Sequence, residues 1–232
     1  QTNVSCNGGT NGSATVAPTG GTTSYTYAWA PQGGTAATAT GLAQGNYTVT
    51  ITDAKSCVTT QTVSITQPNA ITATTSQTDV SCNGGTNGTA TVTATGGTGA
   101  YTYVWTPSGG TAATATGLAQ GNYTVTIKDA NNCSITKTVT IIQPAALSAT
   151  TSQTNVTCNG AATGSASVIV SGGTGPYAYA WAPSGGTTAT ANGLVMGTYT
   201  VTITDANNCI ITKTFSITEP TALTATTAHI NV

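Results

Sequence analysis

GLAQGNYTVTITDA, residues 41–54, returns as GLAQGNYTVTIKDA at 117–130 and as GLVMGTYTVTITDA at 193–206. Inside it, Tyr47, Val49 and Ile51 alternate with Thr48, Thr50 and Thr52. A period of two puts the apolar set on one face of a β-strand and the threonines on the other. Threonine suits a pleated, half-wet surface. Ala43-Gln44-Gly45 before the strand and Asp53-Ala54-Lys55-Ser56 after it are turn residues, so the strand is short and bounded.

The same 76-residue spacing extends outward from this strand. It relates Cys6, Cys82 and Cys158; Trp29, Trp105 and Trp181; Cys57, Cys133 and Cys209; and Pro68, Pro144 and Pro220. The copies align without a gap, and a fixed period of this kind marks a tandem array. Three further runs read as strands. In YTYAWAP (25–31), Tyr25, Tyr27 and Trp29 share a face; Ser13 to Pro18 alternates around Ala14 and Val16; and Val63 and Ile65 point one way before Pro68. Glycine-rich turns separate them, and helix signals are absent. The expected fold is therefore all-β: a tandem array of small immunoglobulin-like antiparallel β-sandwich modules with one disulfide each.

The expected limits are 1–68 for a first repeat with a truncated first strand, 69–144 and 145–220 for the next two, and 221–232 for the start of a fourth. HINV at 229–232 aligns with QTNV at 1–4, and Gln1 is not a translation start, so the chain reads as a window on a longer array. The alternative is that 221–232 completes the first module of a neighbouring chain by strand addition. Short, proline-containing joints favour a semi-rigid rod over loose beads. Each module would be roughly 30 Å long at about 3.3 Å per strand residue.

Only four lysines and five acids carry charge in 232 residues, and there is no arginine. That leaves no basic footprint for nucleic acid and none for an anionic membrane surface. No apolar run approaches the roughly 20 residues of a spanning helix, so membrane insertion is not expected. Regularly placed Trp, Tyr, Val and Ile argue against disorder. Each complete module has one recurrent carboxylate and no histidine, which supplies neither a nucleophile–base pair nor a carboxylate pair, so no enzyme is expected.

Each module holds two cysteines, and the expected pairs are Cys6–Cys57, Cys82–Cys133 and Cys158–Cys209. A closed loop of about 50 residues is worth roughly 4 kcal/mol in the chain-entropy model. There is no CxxC, and the single histidine is His229, so no metal or cofactor is expected. Disulfides imply an oxidising compartment, hence an extracellular or cell-surface location.

Two constellations admit two readings each. Asp53, Asp129 and Asp205 are the only charges present in every copy. They read as Asx-type turns accepting backbone N–H groups, or as calcium ligands, for which one carboxylate without acidic neighbours is a poor set. Tyr25, Tyr27, Tyr101, Tyr103, Tyr177 and Tyr179, with the tryptophans, read as a stacking platform for sugar rings or as core, the tryptophan packing on the disulfide as in immunoglobulin-like domains. Lys137 and Lys213 share the inward parity of Val139 and Phe215, which a bulge or a snorkelling stem would accommodate.

The run VSCNGGTNGSATVAPTGGT, then YTYAWAP, GLAQGNYTVTITDA and ITQP, resembles the SprB repeat of gliding and surface-attached Bacteroidetes. The resemblance implies a long cell-surface adhesin, exported and anchored by parts outside this segment. It transfers no catalytic residues. Surface or glycan ligands would then be bound through parts outside this segment, with self-association into filaments as a further partner expectation.

Overall fold

The computed structural model describes residues 1–228. His229 and the rest of the HINV segment lie outside the described residues. Among the latter there are seventeen strands and no helix.

The first copy contributes β1 (Gly12–Thr15), β2 (Thr26–Ala30), β3 (Thr38–Leu42), β4 (Gly45–Thr52) and β5 (Val58–Ile65). The second contributes β6 (Thr72–Thr78), β7 (Gly88–Thr95), β8 (Thr102–Thr106), β9 (Thr114–Leu118), β10 (Gly121–Lys128) and β11 (Ser134–Ile141). The third contributes β12 (Ser148–Thr154), β13 (Gly164–Ser171), β14 (Ala178–Ala182), β15 (Thr190–Leu194), β16 (Gly197–Thr204) and β17 (Ile210–Ile217). Each copy forms two small sheets. These are β1-β3 and β2-β4-β5, then β6-β7-β9 and β8-β10-β11, then β12-β13-β15 and β14-β16-β17.

The strand that decided the sequence reading is the centre of its sheet. Tyr47, Val49 and Ile51 of β4 are buried, and the threonines between them are half-buried. Trp29 lies opposite Val49, and Tyr47 opposite Val63. These residues pack against Ala14, Ala39 and Leu42 of the facing sheet. The third copy repeats the arrangement with Trp181, Val201, Ile203, Phe215 and Ile217 against Ala166, Val168, Ala191 and Leu194. The tryptophans are 4–8% exposed, and their indoles donate to the carbonyls of Ala36, Ala112 and Thr188, each at 2.9 Å. They are core residues whose one polar atom is satisfied. Neither cluster includes a cysteine, so the expected packing of tryptophan on a disulfide is not the arrangement adopted.

Lys213 faces Val201 in an uninterrupted β16–β17 register and is half-buried, and Lys137 is exposed. No bulge turns the Lys213 side chain outward, so its stem snorkels along the sheet.

The first copy differs from the other two at one edge. β7 and β13 are eight residues long and are flanked by β6 and β12. β1 has four residues and no such neighbour, only an isolated bridge between Thr2 and Ser13.

The expected pairing of Cys6 with Cys57, Cys82 with Cys133 and Cys158 with Cys209 is corrected by the structure. The bonds run Cys6–Cys133 and Cys82–Cys209, and Cys57 and Cys158 are exposed thiols. There is thus no disulfide within any copy. The reason is the length of β5. Cys57 immediately precedes its first residue, whereas the Val4–Cys6 segment lies at its far end, where the Val4 N–H donates to the Thr66 carbonyl. Eight strand residues separate the two by roughly 25 Å, and a disulfide tolerates a Cα separation of only about 7 Å.

The chain forms two compact units, residues 1–77 with 89–116 and 122–140, and residues 78–88 with 117–121 and 141 onward. Each disulfide lies inside one unit.

Candidate functional site at the joint between copies

The joint begins at the Cys-Asn-Gly turn that opens each copy and the proline that closes it. In the first unit the Asn7 amide donates to the Pro68 carbonyl (3.1 Å) and the Gly8 N–H to the Gln67 side chain (2.8 Å). In the second unit Asn83 reaches Pro144 (3.0 Å) and Gly84 reaches Gln143 (2.8 Å). Asn159 and Gly160 make the same contacts to Pro220 and Glu219. These bonds fix the direction in which the chain leaves a copy.

The segment after the proline then settles on the next copy. The Gly97 N–H donates to the Asn69 carbonyl (2.9 Å), and the Gly173 N–H to the Ala145 carbonyl (2.8 Å). Ile71 and Leu147 pack beside Gly97 and Gly173, next to Asp129 and Asp205. The hairpin loops reach back: the Asn131 amide donates to the Ser5 carbonyl (3.0 Å), and the Asn207 amide to the Ser81 carbonyl (2.9 Å). The disulfides close each joint, with Cα–Cα distances of 5.6 and 5.7 Å.

The three aspartates organise the loop that carries the second cysteine. Asp205 Oδ1 accepts the N–H groups of Asn207 and Cys209, and Oδ2 accepts that of Thr174. Asp129 takes Asn131, Cys133 and Thr98, and Asp53 takes Lys55, Cys57 and Thr22. Each carboxylate therefore ties the hairpin loop to the glycine-rich loop, as an Asx-type turn does. Three N–H dipoles already point their positive ends at these oxygens, which opposes a cation there. Among the described residues no three His, Cys, Asp or Glu side chains cluster as a metal set.

Asp53 is held below the ordinary carboxylate range by the N–H groups of Thr22 and then Cys57, which outweigh the upward push from burial, with a lesser contribution from the N–H of Lys55. At Asp205 burial is the largest single influence and pushes upward, but the N–H groups of Thr174, Cys209 and Asn207 together outweigh it. A carboxylate depressed in the folded state adds stability above its unfolded value of about 4 and loses it as pH falls through the folded value. Thermal melts are expected to be level from neutral pH down to about 5 and to fall below about 4. In Asp205→Ala that acid-side slope is expected to flatten; an unchanged slope would contradict the assignment.

The tyrosines divide into two sets. Tyr25, Tyr101 and Tyr177 donate their hydroxyls to the carbonyls of Gly20, Gly96 and Gly172. Tyr27, Tyr103 and Tyr179 are half-buried along β2, β8 and β14. All six are half-buried, and Tyr25, Tyr27, Tyr177 and Tyr179 pack against the hydrophobic cores.

Sequence reasoning missed the joint because each half looks like an ordinary turn. One signal was present: the Cys-Asn-Gly and Pro positions recur together in every copy, and DAKSC at 53–57 becomes DANNC at 129–133 and 205–209. The asparagines that reach Ser5 and Ser81 appear in the second and third copies, where they bond to the copy before.

The SprB repeat family model matches residues 1–34, 74–110 and 150–186. The matched segments hold the Cys-Asn-Gly turn and the tryptophan strand and stop before the YTVT strand. No curated protein matches the chain. Among solved structures, the eight N-terminal immunoglobulin domains of Down Syndrome Cell Adhesion Molecule share 11% identity over 77% of this chain and 28% of that one, with a TM-score of 0.40. Drosophila OTK extracellular domains 3–5 share 10% over 85% and 86%, with a TM-score of 0.33. The S-layer protein SbsC shares 16% over 87% and 36%, with a TM-score of 0.29. Each of the three 76-residue copies thus contains one segment that matches the SprB repeat, within a structural repeat region whose described residues form only β-sheets.

Proposed function

We propose that the chain is a load-bearing, non-catalytic segment of a long extracellular bacterial surface adhesin or filament. It would act as a semi-rigid stalk with repeats at 1–68, 69–144 and 145–220. The observation that carries this reading is the pairing of each joint's cysteines across consecutive copies. Disulfides persist outside the reducing cytosol, and a bond from one copy to the next resists separation where a bond within a copy does not.

The test is a single-chain pull from both termini. With both disulfides intact, the shortest covalent path runs through residues 1–6, back along 133 to 82, and on through 209–232. The extended length is then expected to stop near 290 Å, against about 800 Å after reduction, at roughly 3.5 Å per residue. A chain that reaches the longer value without reductant would sink the load-bearing reading. Because all six tyrosines are half-buried, glycan titration is expected to leave tryptophan fluorescence unchanged. A saturable change would favour the carbohydrate-binding alternative.

A further inference from the structure

The same turn occurs in each copy around an Asn-Gly pair: Asn7-Gly8, Asn83-Gly84 and Asn159-Gly160. Its backbone repeats closely. The three glycines have φ of 75°, 76° and 75°, and a Cβ built on any of them meets nothing within 4 Å. Asparagine and glycine are exposed in all three turns. One partner differs. Gln67 and Gln143, which serve the first and second copies, are replaced in the third by Glu219.

That exchange changes what the turn touches. In the first two copies the glycine N–H donates to a neutral glutamine oxygen at 2.8 Å, and the asparagine amide donates to the proline carbonyl. In the third, Glu219 Oε2 accepts the Gly160 N–H at 2.7 Å, and Oε1 accepts the Asn159 Nδ2 at 2.8 Å. Asn159 also keeps its bond to the Pro220 carbonyl, at 3.2 Å. A half-buried carboxylate therefore bridges two nitrogens. One is the nucleophile of an Asn-Gly cyclisation, and the other is its leaving group. Anchoring the turn does not call for a carboxylate, because glutamine anchors the other two.

We propose that Asn159-Gly160 is a self-modification site, with Glu219 as general base and then general acid in converting Asn159 through a succinimide to isoaspartate and aspartate. The Gly160 nitrogen attacks the Asn159 Cγ. As the new N–C bond forms, the proton on that nitrogen passes to Glu219. The Cγ–Nδ2 bond then breaks, Glu219 returns the proton to the departing nitrogen, and ammonia leaves. Water opens the exposed ring at either carbonyl, giving isoaspartate or aspartate. No electrons are gained or lost, and Glu219 ends as it began. A glutamine oxygen accepts a hydrogen bond but does not take up and return a proton at neutral pH, so the first two turns lack this assistance. The product places a second carboxylate opposite Glu219 and removes the donors that held Glu219 and Pro220. The fastening of this turn to the end of the third copy is thereby undone, since like charges at this range repel. This inference goes beyond the stalk reading and stands independently of it.

The experiment keeps the full chain at neutral pH, samples it over days, and quantifies isoaspartate and aspartate at each turn by peptide mass spectrometry. Asn159 is expected to convert at least about tenfold faster than Asn7 and Asn83, a modest share of what a positioned acid–base group supplies. Glu219→Gln, which installs the residue already tolerated at 67 and 143, is expected to bring Asn159 down to their rate. Gln143→Glu is expected to raise Asn83 toward the wild-type rate of Asn159, a gain that damage to the fold of the third copy does not imitate. Hydroxylamine, which cleaves succinimides, is expected to cut wild type into fragments 1–159 and 160–232 on a reducing gel. Equal conversion at the three turns would overturn the inference. So would an unchanged Asn159 rate in Glu219→Gln, an unchanged Asn83 rate in Gln143→Glu, or aspartate formed without isoaspartate, which would mean direct hydrolysis.

Discussion

Serine at both Cys6 and Cys133 is expected to lower the stability of the first unit by about 4 to 5 kcal/mol. The bond closes a sequence separation of 127 residues, and a long closed loop removes the most chain entropy from the unfolded state. If the first copy unfolds while the second stays folded, the loop is about half as long. The logarithm makes that difference small, so the lower figure applies. The loss is large against a typical net stability of 5–15 kcal/mol. Urea denaturation followed by tryptophan fluorescence measures it; an unchanged midpoint would show that the joint contributes nothing.

The second bond spans the same separation, and the two rings overlap between Cys82 and Cys133. Every peptide bond from Cys6 to Cys209 therefore lies inside at least one ring. Had the cysteines paired within copies, the linkers around Pro68 and Pro144 would lie outside any ring. A single protease nick anywhere in that span is expected to leave the fragments joined on a non-reducing gel and to separate them on a reducing one.

Gly96→Ala is expected to cost roughly 3 kcal/mol or more, and Gly20→Ala about 1 to 2. Both glycines have positive φ, 80° and 74°, so the backbone strain of an alanine is shared. Only at Gly96 does the new Cβ meet the Ala70 carbonyl, at 2.0 Å. Backbone cannot step aside as a flexible side chain does, so the 69–71 segment must lift. Lifting it breaks the Gly97–Asn69 hydrogen bond and uncovers Asp129. Gly172→Ala is expected to match Gly96→Ala because Ala146 stands in the same place. Equal losses at positions 20 and 96 would mean that the linker does not press on the glycine loop.

Much of the architecture was legible because it is written in a period. Tyr47, Val49 and Ile51 at alternate positions imply a strand with one buried face whatever packs against it, and the 76-residue spacing implies that this happens three times. The aspartate turns were legible too, since Asp followed by Ala and two loop residues makes its bonds within four residues and to one neighbouring loop. The parity of Lys213 left a bulge and a snorkelling stem both open, because alternation alone does not distinguish them; the uninterrupted β16–β17 register leaves the stem.

The cysteine pairing was of another kind. Cys6 to Cys57 and Cys6 to Cys133 obey the 76-residue period equally well, so no pattern in the chain distinguishes them. The sequence by itself determined the strands, their buried faces, the threefold repeat and the turns that carry the thiols. The tertiary structure alone decided which thiols meet. The β5 strand holds the two cysteines of a copy at opposite ends of its sandwich, and the hydrogen bonds of Asn7, Gly8 and Gly97 bring the end of one copy against the start of the next.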